Sequence, residues 1–127
     1  MRGLMTAALV GLLLTACGAP PEGTRLPAQK WDDVIFELES RPMPVQVGMN
    51  ELLVLATEER GRPVHNLLID VRASDDLAWR QTIQDGLSGV YRRAIKVPPG
   101  AKGISLRIKR KMSEDQVELF FPIELAK

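Results

Sequence analysis

The chain has 127 residues, with 17 lysines and arginines against 16 aspartates and glutamates, a formal net charge of +1, and one cysteine. The near balance of charge argues against a nucleic-acid-binding protein, which carries a basic surplus. One cysteine cannot form an internal disulfide. The length fits a single domain that must be stabilised by apolar packing.

The amino-terminal segment has the pattern of an export signal. Arg2 gives a positive start, the run 4–14 is almost wholly apolar, and the first acidic residue is Glu22. An apolar run of this length behind a positive residue is typical of a secretory signal peptide. It is shorter than the roughly 20 residues needed to span a bilayer core. We therefore expect residues 1–16 to be a cleaved signal peptide.

The residues that end this segment carry a more specific resemblance. Leu14-Thr15-Ala16-Cys17 resembles the lipobox of bacterial lipoproteins, in which an aliphatic residue and two small residues precede a cysteine. The resemblance implies cleavage before Cys17, a diacylglyceryl group on its sulfur and usually an acyl group on the new amino terminus. We predict no cofactor besides this covalent lipid. Two or three such chains hold a protein on a bilayer where one does not. A plain signal peptide with a chance cysteine, or a free buried thiol, is the alternative.

The residue after this cysteine bears on localisation. In enteric-type lipoproteins an aspartate at this position retains the protein in the inner membrane, and Gly18 resembles the sorted class. The resemblance implies a cell-envelope location, at the outer membrane on its periplasmic side. In an organism with one membrane, it implies the outer face of that membrane.

The next segment, GAPPEGTRLPAQK at 18–30, has three prolines and two glycines without apolar periodicity. This composition is typical of a linker. We expect residues 17–30 to be a lipidated cysteine followed by a flexible tether, and residues 31–127 to form the folded domain. The alternative is a Pro-rich recognition segment.

From residue 31 onward the apolar residues recur at every second position, which indicates half-buried β-strands. Six segments show the pattern, at 33–39, 67–73, 79–84, 89–97, 105–112 and 117–125, and the denser apolar run at 51–57 suits a central strand. Gly and Pro clusters separate several of them. The spacing predicts an all-β fold, a single immunoglobulin-like antiparallel β-sandwich of about seven strands. A helical stretch over 74–84 is the rival interpretation.

The carboxyl-terminal segments give the most detailed expectations. One face of the last strand carries Val117, Leu119, Phe121, Ile123 and Leu125. Phe120 falls on the outer face, where an exposed aromatic at a sheet edge suits an interface; burial under a loop is the alternative.

In the preceding strand we expect Leu106, Ile108 and Met112 to face inward. A hairpin turn at 113–115 then places Lys109 or Lys111 opposite Glu118. The run RIKRK at 107–111 is interpreted as an exposed strand face, with a basic patch for an acidic or lipid partner as the alternative.

Three short motifs occur in order: Val47-Gly48-Met49-Asn50, then Gly61-Arg62-Pro63-Val64, then Gly89-Val90-Tyr91. This order resembles the YtkA-like and FixH-like group of small secreted immunoglobulin-like domains over residues 44–110. The resemblance implies a copper-handling or oxidase-assembly accessory factor, and it fits a buried Tyr91 ring whose hydroxyl bonds to the backbone.

The copper-related members of that group use clusters of histidine and methionine, and here this chain departs from them. It has one histidine, His65, and outside the signal its methionines are Met43, Met49 and Met112. Copper(I) favours such soft ligands, but no spacing gathers them. We predict no metal site.

Enzyme motifs are not evident in the sequence. No G-x-S-x-G elbow or phosphate-binding loop occurs, and the pairs Asp32-Asp33 and Asp75-Asp76 have neither the spacing nor the distal glutamate of a calcium loop. We predict a protein that is not an enzyme, with no catalytic residue and no small-molecule substrate.

The leading hypothesis from the sequence is a lipid-anchored envelope protein. It contacts the membrane through the lipid on Cys17, and its sandwich is a binding or structural module for another envelope protein. The copper-handling accessory factor is the alternative.

Overall fold

The computed structural model describes residues 26–127, and this part of the chain is entirely β-structure with connecting turns. Its strands are β1 (Gln29–Trp31), β2 (Val34–Arg41), β3 (Gly48–Glu58), β4 (Leu67–Arg72), β5 (Arg80–Gln81), β6 (Ile83–Gln84), β7 (Val90–Val97), β8 (Gly103–Arg110) and β9 (Gln116–Pro122). No helix long and apolar enough to cross a bilayer occurs among these residues.

Two antiparallel sheets pack face to face. Sheet one has the order β1-β2-β3-β7-β6, and sheet two has the order β5-β4-β8-β9. Strands β2, β3, β7 and β6 take the places of A, B, E and D in an immunoglobulin sandwich, and β4, β8 and β9 take those of C, F and G. The prediction of an immunoglobulin-like β-sandwich is confirmed, and the rival helix over 74–84 is wrong.

The core lies between the sheets and follows the predicted alternation. Its fully buried side chains include Phe36, Val54, Ile69, Val71, Tyr91, Ile104, Leu106, Ile108 and Phe121. On the last strand Val117 and Leu119 are partly buried against this core, and so are Ile123 and Leu125 beyond the strand's end. The period-two pattern therefore identified the inward faces of β2, β4, β7, β8 and β9, because each of these strands has one face toward the opposite sheet.

The segment 79–84, predicted as one strand, is divided between the two sheets. Arg80–Gln81 pairs with β4 in sheet two, whereas Ile83–Gln84 pairs with β7 in sheet one. Between them the backbone N–H and the hydroxyl of Thr82 both donate to the Ile69 carbonyl, at 2.8 and 2.7 Å. Thr82 is thus the point at which the chain crosses from one sheet to the other.

Strand β1 begins inside the segment predicted as linker, since Gln29 and Lys30 pair with β2. Leu26 and Trp31 pack against the core. Lys30 forms an ion pair with Glu59, and the hydrogen bond and charge of its ammonium group hold the pKa of the exposed Glu59 carboxyl below its usual range. The ordered β-structure thus starts before residue 31.

The β8–β9 hairpin corrects two details. Met112 has a φ of 62° in the turn and is fully exposed, so its predicted inward position is wrong. Strand β8 has already ended at Arg110, whose N–H bonds to the Asp115 carbonyl. The register consequently places Arg107, and not Lys109 or Lys111, opposite Glu118, and Lys109 lies opposite Gln116.

Candidate functional site: strand β9 and the outer face of sheet two

The one functional residue that the sequence assigned, Cys17, lies outside the described residues, as do the predicted signal peptide and the first part of the predicted linker. The structure therefore contributes the surfaces of the domain that follows. The remaining sequence candidate is Phe120, whose side chain is 49% exposed on the outer face of β9. The alternative of burial under a loop is not what the structure shows.

Strand β9 is the edge of sheet two, and its register fixes which of its backbone groups point outward. Ile123 N–H bonds to the Lys102 carbonyl and Arg110 N–H to the Asp115 carbonyl. Because bonded pairs alternate along an antiparallel ladder, residues 117, 119 and 121 bond to β8. The N–H and C=O groups of residues 116, 118 and 120 point away from the sheet. Pro122 occupies the next outward position, where proline costs no ladder bond.

The outward groups of β9 meet β1 at one point. The side-chain amide of Gln29 donates to the Phe120 carbonyl at 2.5 Å. This contact joins the edge of sheet one to the edge of sheet two. The outward N–H of Phe120 and both outward groups of Glu118 lie beyond it along the strand.

The Phe120 ring lies over Gly103 of β8. A Cβ built on Gly103 would stand 2.3 Å from the ring and 2.6 Å from the Phe121 carbonyl oxygen. Glycine at 103 is therefore required for the ring to lie flat on the sheet. A cavity of about 380 Å³ adjoins the ring and is lined by Asp75, Lys102 and Ser105 among others.

The outer face of sheet two also carries a stacked aromatic group. The guanidinium carbons of Arg72 and Arg107 lie 4.1 and 4.7 Å from the centroid of the Trp79 ring. Arg107 in turn donates from Nε and Nη2 to one carboxylate oxygen of Asp70, at 3.1 and 2.7 Å. Arginines of strands β4 and β8 thus fix Trp79 on this face, and cation–π contacts of this kind contribute about 0.5–1 kcal/mol each at exposed sites.

The basic run 107–111 is divided by these contacts. Arg107 faces Asp70 and Trp79 on the outer face, Ile108 is in the core, and Arg110 lies 4.8 Å from the Trp31 ring and pairs with Asp32 and Asp33. The acidic pair 32–33 is therefore a solvent-facing turn held by one arginine. These positions agree with an exposed strand face rather than one continuous basic patch.

Within residues 26–127, the histidine and the methionines are all at the surface. His65, Met43, Met49 and Met112 are exposed. Within residues 26–127 there is no group of three or more histidine, cysteine, aspartate or glutamate side chains placed to hold a metal ion. His65 and Met112 do come to one end of the sandwich, because Lys111 N–H bonds to the Asn66 carbonyl at 2.9 Å and extends the β4–β8 pairing toward them.

Tyr91 is a core residue whose polar end is satisfied. Its hydroxyl donates to the Val64 carbonyl at 2.9 Å, which confirms the expected backbone partner. Burial raises the pKa of the Tyr91 hydroxyl, and a backbone hydrogen bond from Leu67 partly opposes that rise. The residue ties β7 to the β3–β4 connection and is structural.

Sequence reasoning did not single out Trp79 with its two arginines, although it aligned Trp79 with the segment that follows. One feature of the sequence could have pointed to this group: Trp79 directly precedes Arg80–Gln81, a segment in which apolar and polar residues do not alternate clearly. No protein-family model, curated protein or solved structure matches this chain. The class that its geometry defines is an immunoglobulin-like β-sandwich.

Proposed function

We propose that the protein is a lipid-anchored component of the bacterial envelope whose β-sandwich binds another envelope protein. The lipid is attached at Cys17, and the location is the outer membrane on its periplasmic side. The signal pattern, the lipobox and Gly18 support the anchor and the location. The edge strand β9, with Phe120 beside its outward backbone groups, supports the binding role.

The observation that carries the binding role is the combination, on one strand, of an exposed aromatic ring and outward backbone groups that have no partner strand within residues 26–127. An extended segment of a partner can add to a sheet edge by main-chain hydrogen bonds and take specificity from neighbouring side-chain pockets. Here the outward groups of Glu118 and Gln116 offer the bonds. The Phe120 ring and the adjoining cavity offer the pocket. We therefore assign the partner as a protein with an extended segment that pairs with β9.

The segment between the proposed anchor and the domain is short enough to keep the proposed binding edge near the membrane. Nine residue steps separate Cys17 from Leu26, and an extended chain of that length reaches at most about 30 Å. Gln29, three residues later, contacts the Phe120 carbonyl. The tether consequently enters the domain beside β9, and the binding edge stays within reach of partners at the same membrane.

The anchor is tested by replacing the cysteine in the full-length chain. Cys17→Ser is expected to abolish lipidation, to leave the signal peptide uncleaved by the lipoprotein peptidase, and to change the mass of the amino-terminal peptide. Mass spectrometry of the membrane fraction measures this, with Thr15→Ser as the control that keeps a small residue. An unmodified wild-type amino terminus upstream of Cys17 would overturn the anchor.

The binding edge is tested by photocrosslinking in intact cells. A photoreactive phenylalanine analogue at Phe120 is expected to give a discrete adduct, whereas the same analogue at Glu39, on the outer face of sheet one, is not. Glu118→Pro removes an outward N–H without breaking a β8 bond and is expected to abolish the adduct. Glu118→Gln keeps the N–H and is the matched control. Equal adducts from both positions, or an adduct unaffected by the proline, would contradict the assignment.

A second candidate function is copper handling, and one observation favours it: the bond from Lys111 N–H to the Asn66 carbonyl brings the backbone next to His65 and the backbone next to Met112 to the same end of the sandwich, where β4 begins and β8 ends. Imidazole and thioether are suitable Cu(I) ligands. Titration of residues 26–127 with Cu(I) in the presence of a competing chelator tests this candidate. It requires binding that weakens in His65→Ala and Met112→Leu but not in Met49→Leu, and absence of binding removes it.

A further inference from the structure

A cavity of about 420 Å³ opens at the β5/β6 edge, beside the point where the chain crosses between the sheets. Strand β4 forms one wall with Leu67, Leu68 and Ile69, and β7 forms the other with Tyr91 and Arg93. Gln81, Thr82, Ile83, Gln84 and Lys111 complete the lining. The charged groups that line it, Arg93 and Lys111, are both cationic.

Arg93 occupies an unusual position on β7. It lies opposite Leu52, a fully buried residue, so it belongs to the strand face that otherwise carries Tyr91, Ile95 and Val97 into the core. None of the ion pairs within residues 26–127 includes Arg93 or Lys111. Arg92, the residue before Arg93, lies on the outer face and by contrast forms ion pairs with Asp85 and Glu51. Arg93 as a whole residue is of intermediate burial, and a cation removed in part from water without a carboxylate is costly unless an anion offsets its charge.

Gln84 adds a second donor without a partner. Its Nε2 atom is shielded from solvent and has no acceptor among the described residues. Thus the neutral Gln84 amide and the cationic Arg93 guanidinium both line the cavity and both have hydrogen-bond donors to spare. The aliphatic wall from β4 lies across from them. This combination fits a ligand with a carboxylate at one end and an apolar body at the other.

We propose that this cavity, bounded by Arg93, Lys111 and Gln84, is a binding site for a carboxylate carried on an aliphatic body. Arg93 and Gln84 donate to the carboxylate oxygens, Lys111 contributes charge, and the β4 wall contacts the apolar part. The carboxylate could belong to a small solute or to an acidic side chain of a protein segment. The site lies on the opposite edge of the sandwich from β9 and does not depend on the proposed β9 contact.

The test is an NMR titration of ¹⁵N-labelled residues 26–127 with hexanoate, and with 1-hexanol as the uncharged probe of equal length. Hexanoate is expected to bind at least about tenfold more tightly than hexanol, as a charge-assisted hydrogen bond would require. It is also expected to shift the Gln84 side-chain amide and the Arg93 Nε–H signals. Equal affinity for the two probes, or shifts outside the cavity lining, would overturn the proposal.

Variants separate the site from general charge effects. Arg93→Gln is expected to abolish the preference for hexanoate, and Arg93→Lys to retain part of it. Arg92→Gln, which removes the same charge from the adjacent outer-face position, is the matched control and is expected to keep the preference. If Arg92→Gln and Arg93→Gln have the same effect, the preference is not due to this site.

If Arg93→Gln does not fold, Lys111→Gln serves in its place, because Lys111 is exposed in the hairpin turn. It is expected to weaken hexanoate binding without changing hexanol binding. A final arm distinguishes the source of the carboxylate: a blocked peptide, acetyl-Leu-Glu-Leu-amide, replaces hexanoate. Tighter binding of the peptide assigns the site to a protein segment, and tighter binding of hexanoate assigns it to a small solute.

Discussion

At the β5/β6 edge of the sandwich the chain itself passes from sheet to sheet, whereas at the β1/β9 edge strands far apart in sequence meet through side chains. Thr82 makes two hydrogen bonds from a buried position at the first edge. At the second edge the exposed amide of Gln29 reaches Phe120, and Arg110 reaches Trp31. The covalent crossing supplies connection without exposed contacts, and the β1/β9 edge, which lacks it, carries the outward backbone groups of the longer edge strand β9.

The largest expected effect is at the β1/β9 edge, from a change that displaces Phe120. Gly103→Ala puts a methyl group against the ring and the Phe121 carbonyl, and overpacking of this kind costs about 1–3 kcal/mol. We expect a value near the top of that range, about 3 kcal/mol, because one clashing atom is backbone. Urea denaturation measures it.

The double variant Gly103→Ala with Phe120→Leu sharpens this result. Removing the ring is expected to recover part of the lost free energy of unfolding, since the carbonyl clash remains. If the double variant recovers none of the lost free energy of unfolding, or if Gly103→Ala alone is as stable as the parent protein, the Phe120 ring does not lie on Gly103.

The next effect is at the crossing. Thr82→Val removes the hydroxyl donor but keeps the backbone N–H bond to Ile69, and is expected to lower the free energy of unfolding by about 1–2 kcal/mol. Thr57→Val, on the outer face of β3, is the control and is expected to change it by less than about 0.5 kcal/mol. Similar losses from the two variants would mean that the crossing depends on Thr82 no more than on a surface threonine.

A smaller effect is expected from Arg110→Ala. The cation–π contact with Trp31 is worth about 0.5–1 kcal/mol, and the ion pairs with the exposed Asp32 and Asp33 add little. Thermal denaturation gives the stability, and the Trp31 fluorescence spectrum reports the local change. An unchanged spectrum would indicate that Arg110 does not stack on the ring.

The smallest effect is expected from Gln29→Ala, below about 0.5 kcal/mol, because the bond is exposed. Hydrogen exchange of the β1 amides is the more sensitive measurement, since local opening precedes global unfolding. We expect faster exchange in β1 while the β3 and β7 amides are unaffected. Equal acceleration in all strands would mean that the two edges do not open independently.

The sequence predicted the long strands because each has one face in the core, so alternation at positions such as Phe36, Tyr91 and Phe121 was visible without any tertiary information. Two-residue strands have no readable period, which is why the division at Thr82 was missed. Met112 was misplaced because it is apolar and falls at the same parity as Leu106 and Ile108, although Arg110 at that parity already interrupts the alternation and ends the strand. Strand β1 was missed because it begins within a segment whose composition is typical of a linker. Its three residues are extended because they pair with β2.

The candidate surfaces were predictable in part. Phe120 was identified because an aromatic residue stood at a polar position of a clear alternation. Arg93 interrupted the inward face of β7, which is a signal in the sequence for an opening between the sheets, but its cavity requires the strand order to be known. The contact of Trp79 with Arg72 and Arg107 joins three elements and could not be read from spacing.

The place of β1 has a mechanical consequence. Tension on the chain that precedes Leu26 enters the domain through a three-residue strand that runs antiparallel to β2. Release of that strand would add about 10 Å of extended chain ahead of the domain while the pairing of β2, β3 and β7 stayed whole. Under force the domain would then extend in a small first step, by release of β1, before the force reached the strands that form its core.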